Sequence, residues 1–295
     1  MHNPQLSIII PTHNRPHLLP LAVESSLAQT FSDLEVIVVD DASDEIAQLP
    51  EDSRLRVIRL EQSRGGAGAR NVGTEAARGR WVTYLDDDDR LLPQMAEISL
   101  AAIARASATP PVAVISGLEK VSPQGEAIKV RIPPSLCPKG SHFFLETPEA
   151  GRSYATKQTL VVEREVVLQI GGWDEQFRSR VHSEFFLRLN PVCTLIGLPT
   201  VTYQLRCHGG VRVSSNPVLR QESFHRLIQK HQVAFESHPR QFAQFIYRHA
   251  RNSWQERQFQ AALLAIAWAL KIDPTHSLRN CLQGVRQYAN RFNPA

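Results

Sequence analysis

Apolar positions fall into two textures along the chain. Through roughly the first 120 residues, short apolar runs alternate with stretches whose apolar residues recur every three or four positions. LSIII (6–10), EVIVV (35–39), LRVIRL (55–60), RWVTYL (80–85) and VAVISG (112–117) read as strands. HLLPLAVESSLAQ, GARNVGTEAAR and PQMAEISLAAIARA, which lie between them, read as helices. Nearly continuous apolar strands separated by helices predict an α/β, Rossmann-like fold: a mostly parallel sheet with helices on both faces. Beyond about residue 120 the pattern loosens, with a turn at Pro123-Gln124-Gly125 and an irregular connection through Pro133-Pro134 and Pro138 to Gly140. After about residue 216 the strand signals vanish and helical periodicity continues to the C-terminus. A boundary near Asn216-Pro217 gives two expected domains, 1–215 and a helical region 216–295.

Composition narrows the class. Of 295 residues, 42% are hydrophobic and 21% charged, the usage of a globular protein rather than a disordered or fibrous one. The longest apolar run, AALLAIAWAL (261–270), is shorter than the ~18 residues a membrane-spanning helix needs. LSIII has no basic region before it and ends at Pro11, so it does not read as a signal peptide. Cys137, Cys193, Cys207 and Cys281 lie far apart without a CxxC pair, the pattern of free thiols in a reducing compartment. The expectation is a soluble, cytoplasmic protein.

Charge changes that picture in one respect. Residues 1–215 carry 22 Lys and Arg against 25 Asp and Glu, whereas residues 216–295 carry 11 against 4. No reading motif or stacking platform accompanies the basic tail, so nucleic acid is not the expected partner. The tail reads either as a solvated helical face or as a docking surface for an anionic membrane or an acidic partner.

Candidate chemistry lies where the strands end. In doubly wound sheets ligands bind beyond the carboxyl ends of the strands. The first strand is followed by PTHNR (11–15), the second by Asp40-Asp41-Ala42-Ser43 and the fourth by Asp86-Asp87-Asp88-Asp89. Four adjacent carboxylates repel one another. One reading is a solvated turn leading into a helix near Leu92; the other is a seat for Mg²⁺ or Mn²⁺, which favour carboxylate oxygens plus substrate phosphates. SRGGAGARNVG (63–73) lacks the P-loop ending, carries Asn71 where a third dinucleotide-binding Gly belongs, and follows the third strand rather than the first. It reads as a tight turn into a helix.

Taken together, LSIIIPTHNR (6–15), VESSLAQTFSDLEVIVVDDAS (23–43) and GGAGARNVGTEAARGRWVTYLDDDD (65–89) resemble the family 2 glycosyltransferases of the GT-A fold, and GGWDE (171–175), HSEFFLRLN (182–190) and YQLRCHGG (203–210) are similar to that family's later landmarks. The resemblance spans about residues 1–215. It implies inverting transfer of a sugar from a nucleoside-diphosphate donor, most plausibly a UDP-sugar, to an acceptor hydroxyl, with Mn²⁺ or Mg²⁺. Carried over by position, it implies that Pro11, Thr12, His13, Asn14 and Arg15 line the nucleotide, with His13 where a base-stacking aromatic stands. It places Asp41 on the base, Arg70 near the nucleotide, Asp86 and Asp87 toward ribose and diphosphate, and Asp88 with His208 on the metal.

The family's general base is an Asp ahead of an amphipathic helix. Here His182 occupies that position and Glu184 follows two residues later; Glu184 is the favoured proton acceptor because carboxylates serve that role in the family. Two other readings stand beside the enzyme: a catalytically silent relative binding saccharide or a partner, and a sugar-1-phosphate nucleotidyltransferase. The latter wants a glycine-rich basic loop after the first strand, which PTHNR is not. In the tail, residues 241–274 resemble one tetratricopeptide repeat, with Ala250, Phe259, Ala262, Ala269 and Pro274 at its characteristic positions. A single repeat predicts a packed helical hairpin flanked by helices near 218–236 and 276–291. Arg279, Arg286 and Arg291 are the candidate contacts to an anionic surface.

Overall fold

The computed structural model describes residues 3–207 and 216–282. It divides into two compact units, one of residues 1–143 with 148–213 and one of 144–147 with 214–295.

The first unit is built on β1 (Leu6–Thr12), β2 (Leu34–Asp40), β3 (Leu55–Arg59) and β4 (Trp81–Tyr84), paired in parallel in the order β3-β2-β1-β4. Every residue of β1 and β2 is buried, which is why these strands read as unbroken apolar runs. The chain winds from β1 outward through β2 to β3 and then crosses back to β4 on the other side. The ends of β1 and β4 therefore flank the point where the winding reverses, the place such sheets reserve for a ligand.

Past β4 the sheet continues β9-β6-β10-β5, with β5 (Arg90–Leu91), β6 (Val112–Val121), β9 (Val161–Glu163) and β10 (Thr194–Arg206). β9 is antiparallel to both β4 and β6. Two further short strands, β7 (Ala127–Arg131) and β8 (Leu136–Cys137), pair antiparallel with β6 and β10. The sheet is thus mixed, and its parallel character resides in the first half and in the β6–β10 pair.

Helices α1 (Leu19–Leu27), α2 (Gly65–Ala76) and α3 (Met95–Ala104) connect the early strands. The glycine-rich segment is not a loop: most of it forms the first turns of α2. Gly73 explains one of the glycines, because a Cβ there would lie 2.4 Å from Ile9 Cγ2. Its absence lets α2 lie flat on β1. Gly65 opens the helix at φ +75°, a conformation that favours glycine. Two more helices, α4 (Arg164–Gln169) and α5 (Val181–Leu189), follow β9.

The second unit is helical: α6 (Pro217–Lys230), α7 (Gln232–Glu236), α8 (Pro239–Gln255), α9 (Phe259–Ile272) and a helical stretch over 274–282. Asn216 caps α6 by accepting from the amides of Val218 and Leu219. Ala250, Ala262 and Ala269 are fully buried, and their small size lets α8 and α9 pack closely, whereas Phe259 is half exposed. The interior is aromatic: Phe224 stacks on Phe245 and on His249, and Phe235 packs against Phe242 and Phe245. All four cysteines are free.

Candidate active site

Three loops meet at the carboxyl edge of β1, β2 and β4. The loop after β1 is pinned to the loop after β2. Asn14 N–H donates to Ser43 Oγ at 2.9 Å, Asp44 N–H donates to Asn14 Oδ1 at 2.8 Å, and His13 Nδ1 lies 2.7 Å from the carbonyl of Asp41. Asn14 adopts φ 53° at this corner. Pro11 and Thr12 are buried as the last residues of β1, while His13 and Asn14 are exposed.

The acidic run after β4 is not a solvated turn. Asp87, Asp88 and Asp89 are buried, and each is tied down differently. Thr12 donates to Asp87 Oδ2 at 2.8 Å, and Arg15 Nη1 reaches Asp87 Oδ1 at 2.9 Å and Asp88 Oδ2 at 3.3 Å. Asp86 pairs with the guanidinium of Arg70, which also donates to the Gly66 carbonyl and lies 5.3 Å over the ring of Trp173. Asp89 accepts from the Tyr203 hydroxyl at 2.8 Å and the Arg206 amide at 3.0 Å, fastening the loop to β10.

The electrostatics follow from that packing. Burial pushes the Asp87 carboxyl up, with Arg15 and Thr12 pulling it back part of the way. Asp89 is pushed well above the carboxylate range, first by burial and then by the charges of Asp86 and Asp88. Burial works against the charge on Arg15, but Asp87, Asp88 and Asp86 outweigh it and hold its pKa above the ordinary value.

One oxygen from each of Asp86, Asp88 and Asp89 falls within 4.8 Å of the others. Three hard oxygen donors this close repel one another as anions, and a dication offsets that repulsion, so they are a fitting seat for Mg²⁺ or Mn²⁺. Asp86 is the most open of them, its side chain 34% exposed against 8% for Asp88. Asp89 is the member that sequence reasoning passed over; its place at the end of the same run was the available signal.

Asp41 is tied to the start of α2. Its Oδ2 accepts from Ser63 Oγ at 2.6 Å and Gly65 N–H at 2.8 Å, and its Oδ1 accepts from Arg64 N–H at 2.7 Å. It therefore caps the amino end of α2 from the tip of β2.

Trp173, in the GGWDE segment, ties the later landmarks to the site. Asn71 on α2 donates to the Trp173 carbonyl and accepts from its amide, at 2.9 and 2.7 Å. Trp173 stacks on Phe185 at 4.1 Å and meets the His182 ring edge-on at 5.1 Å. Arg70 and His182 thus share one indole. Burial, followed by the positive charge of Arg70, pulls the His182 pKa down to about 3, with Asp86 opposing and Lys157 adding to the fall. Its imidazole is neutral throughout the physiological range.

Glu184, expected as the proton acceptor, is engaged within the fold. It is completely buried, and its two oxygens are held by Arg188, one turn later, at 2.7 and 2.5 Å. Arg188 also donates to the carbonyls of Ile170 and Gly172. Glu184 is one half of a buried ion pair that anchors α5 to the Trp173 loop. The Glu184–Arg188 spacing of four on a helix was the signal for this pairing. His208 lies outside the described residues.

Residues 7–144 match the profile of the family described as Glycosyl transferase family 2. A glycosyltransferase of Haemophilus influenzae with no assigned reaction is 31% identical over 186 residues, covering 62% of this chain and 61% of its own length. The UDP-Glc:alpha-D-GlcNAc-diphosphoundecaprenol beta-1,3-glucosyltransferase WfgD of Escherichia coli is 33% identical over 100 residues, covering 32% of this chain and 40% of its own. The chain therefore spans less than two thirds of either relative. Among solved structures, S. aureus TarS 1–349 in complex with UDP-GlcNAc superposes with a TM-score of 0.64 at 17% identity, over 92% of this chain and 82% of that one, a likeness of fold.

Proposed function

We propose that the family 2 glycosyltransferase domain carried at residues 7–144 moves a sugar from a nucleoside-diphosphate donor, a UDP-sugar, to an acceptor hydroxyl with inversion at the anomeric carbon. The observation that carries this reading is the convergence of Asp86, Asp88 and Asp89 with Arg15 and Arg70 at the reversal point between β1 and β4.

Asp86 and Asp88 would hold Mn²⁺ or Mg²⁺, and the bound ion would neutralise charge on the departing diphosphate. Arg15 and Arg70, already drawn to the carboxylates, are placed to receive phosphate oxygens. Pro11 to Asn14 would line the nucleotide, with the exposed His13 ring under the base. Asp41 would contribute to the base only through lone pairs left over from capping α2. His182 replaces Glu184 as the proposed proton acceptor: it is neutral, half-buried, and held by the same indole as Arg70.

A thermal-shift screen of UDP-, GDP-, dTDP- and CMP-sugars with Mn²⁺ tests the donor class. A ligand at 100 times its Kd adds about 2.7 kcal/mol of stability. A metal-dependent shift confined to the UDP compounds is the expected outcome; a shift with none of the four sets would overturn the reading.

WfgD is named for a lipid-linked acceptor, a sugar diphosphate on undecaprenol. A comparable acceptor would bring this chain to a cytoplasmic membrane face, although no helix among the described residues is long and apolar enough to cross a membrane. The helical unit supports peripheral contact: Phe259, Leu263 and Leu264 on α9 and Leu278 and Leu282 beyond it are at least half exposed, beside exposed Lys271 and Arg279. Arg286 and Arg291 lie outside the described residues. Cations near an anionic surface add about 1 kcal/mol each. Co-sedimentation at low salt with anionic but not neutral vesicles is expected, and sedimentation with neither contradicts the membrane contact.

The observation that favours a catalytically silent relative is the low basicity of His182 together with the sequestration of Glu184. Turnover itself separates the two.

A further inference from the structure

The helical unit contains a groove that the reading above does not use. Residues of α6, α7, the start of α8 and α9 line a cavity of about 580 Å³. A second hollow of about 250 Å³ adjoins it on the other side of His225 and Trp268, which line both. Volumes of this size are those of small-ligand sites.

The lining has a specific chemistry. Four amides face the two hollows: Gln221, Gln229, Gln232 and Gln260. No Lys or Arg lines either, and the one carboxylate, Glu236, already accepts from Gln232 at 2.7 Å. An anionic ligand finds no cation here, and a lipid chain would take the exposed amides of Gln229 and Gln260 out of water. A side-chain amide both donates and accepts, as a hydroxyl does, so a row of amides complements a row of neutral hydroxyls.

The floor supplies the other half of sugar recognition. Trp268 is half-buried, and the His225 ring lies parallel to it within 7°, centroids 6.2 Å apart. Flat aromatic faces suit the apolar C–H faces of a pyranose ring. The polar groups are held in advance of any ligand. His249 is buried, stacks on Phe224 at 3.7 Å and bonds Gln221 at 2.6 Å; Gln221 in turn reaches His225 Nε2 at 2.9 Å. A parallel aromatic pair beside amides, with no cation in the lining, suits a neutral saccharide better than an anionic ligand.

We propose that this groove binds a neutral oligosaccharide, a second saccharide site that does not depend on the donor chemistry of the first. Calorimetry of the full chain, without nucleotide or metal, against laminaritetraose, cellotetraose and chitotetraose tests it. At least one tetrasaccharide is expected to bind. Trp268→Ala should weaken it about tenfold or more, the scale of losing an aromatic anchor. Because Trp268 packs against Phe224 and Phe242, the exposed pair Gln229→Ala/Gln232→Ala provides a variant that keeps the fold, and the same loss is expected there. Asp88→Ala should leave saccharide affinity unchanged. Binding of none of the three sugars would overturn the proposal. So would affinity that survives the double Gln variant, affinity lost in Asp88→Ala, or a dimer of the native chain that Trp268→Ala dissociates, which would assign the groove to a second copy.

Discussion

Asp88→Ala should abolish metal-dependent binding of UDP while the protein remains folded, a loss of at least about 100-fold in calorimetry with Mn²⁺. The reason lies in how the acidic run is partnered. Asp87 is satisfied by Thr12 and Arg15, and Asp89 by Tyr203 and the Arg206 amide, so both serve the loop itself. Asp88 meets Arg15 at 3.3 Å, against 2.9 Å for Asp87. Removing it takes one like charge out of a cluster of three carboxylates, so thermal stability should hold or rise slightly while the cation loses its seat. Unchanged metal-dependent affinity in the variant would remove Asp88 from the metal site.

The second large effect separates His182 from Glu184. His182→Asn should lower turnover by roughly 10²–10⁴-fold with little change in donor affinity, the range for loss of a proton acceptor. The pH behaviour is specific. A group whose pKa has fallen to about 3 is already deprotonated at pH 5, so the native enzyme and His182→Asn should give parallel kcat/KM profiles between pH 5 and 8. An inflection near 6.5 present only in the native enzyme would mean that the imidazole is not held neutral as described. Glu184→Gln should behave differently. It removes the charge opposite the Arg188 guanidinium, which keeps the Ile170 and Gly172 carbonyls, and breaking a buried pair in this way destabilises by about 3–5 kcal/mol. Low soluble yield and a reduced melting temperature are expected, with residual turnover per folded molecule close to native. A stable Glu184→Gln variant without turnover would restore Glu184 as the base.

The first half of the fold was legible because β1 and β2 are buried along their whole length, and nothing else produces LSIII and EVIVV between amphipathic stretches. The antiparallel β9 was not: three residues, VVE, carry too little pattern to distinguish a strand. β10 was hidden for another reason. Its pairing with β6 slips register between Gly197 and Val201, so IGLPT breaks the run that a continuous strand would show. The glycine-rich segment was legible as a turn into a helix; what the sequence did not show is that Gly73 clears room for α2 against Ile9.

At the site, the positions of the acidic run and of PTHNR were readable from where they follow their strands. What Asp41 and Glu184 do was not, because each role depends on a partner: the open amino end of α2 for one, Arg188 for the other. Trp173 was visible only as part of a motif. Its function as the surface shared by Arg70 and His182 requires the fold.

The central claim is that this edge of the sheet transfers a sugar from a UDP donor. The direct measurement is proton NMR of the full chain with Mn²⁺, UDP-glucose or UDP-N-acetylglucosamine and a short-chain lipid-diphosphate sugar acceptor. The α-anomeric donor signal should decay with release of UDP, a β-linked product signal should replace it, and chelation of the metal should stop both. Donor signals that persist unchanged in the presence of metal and acceptor would contradict it.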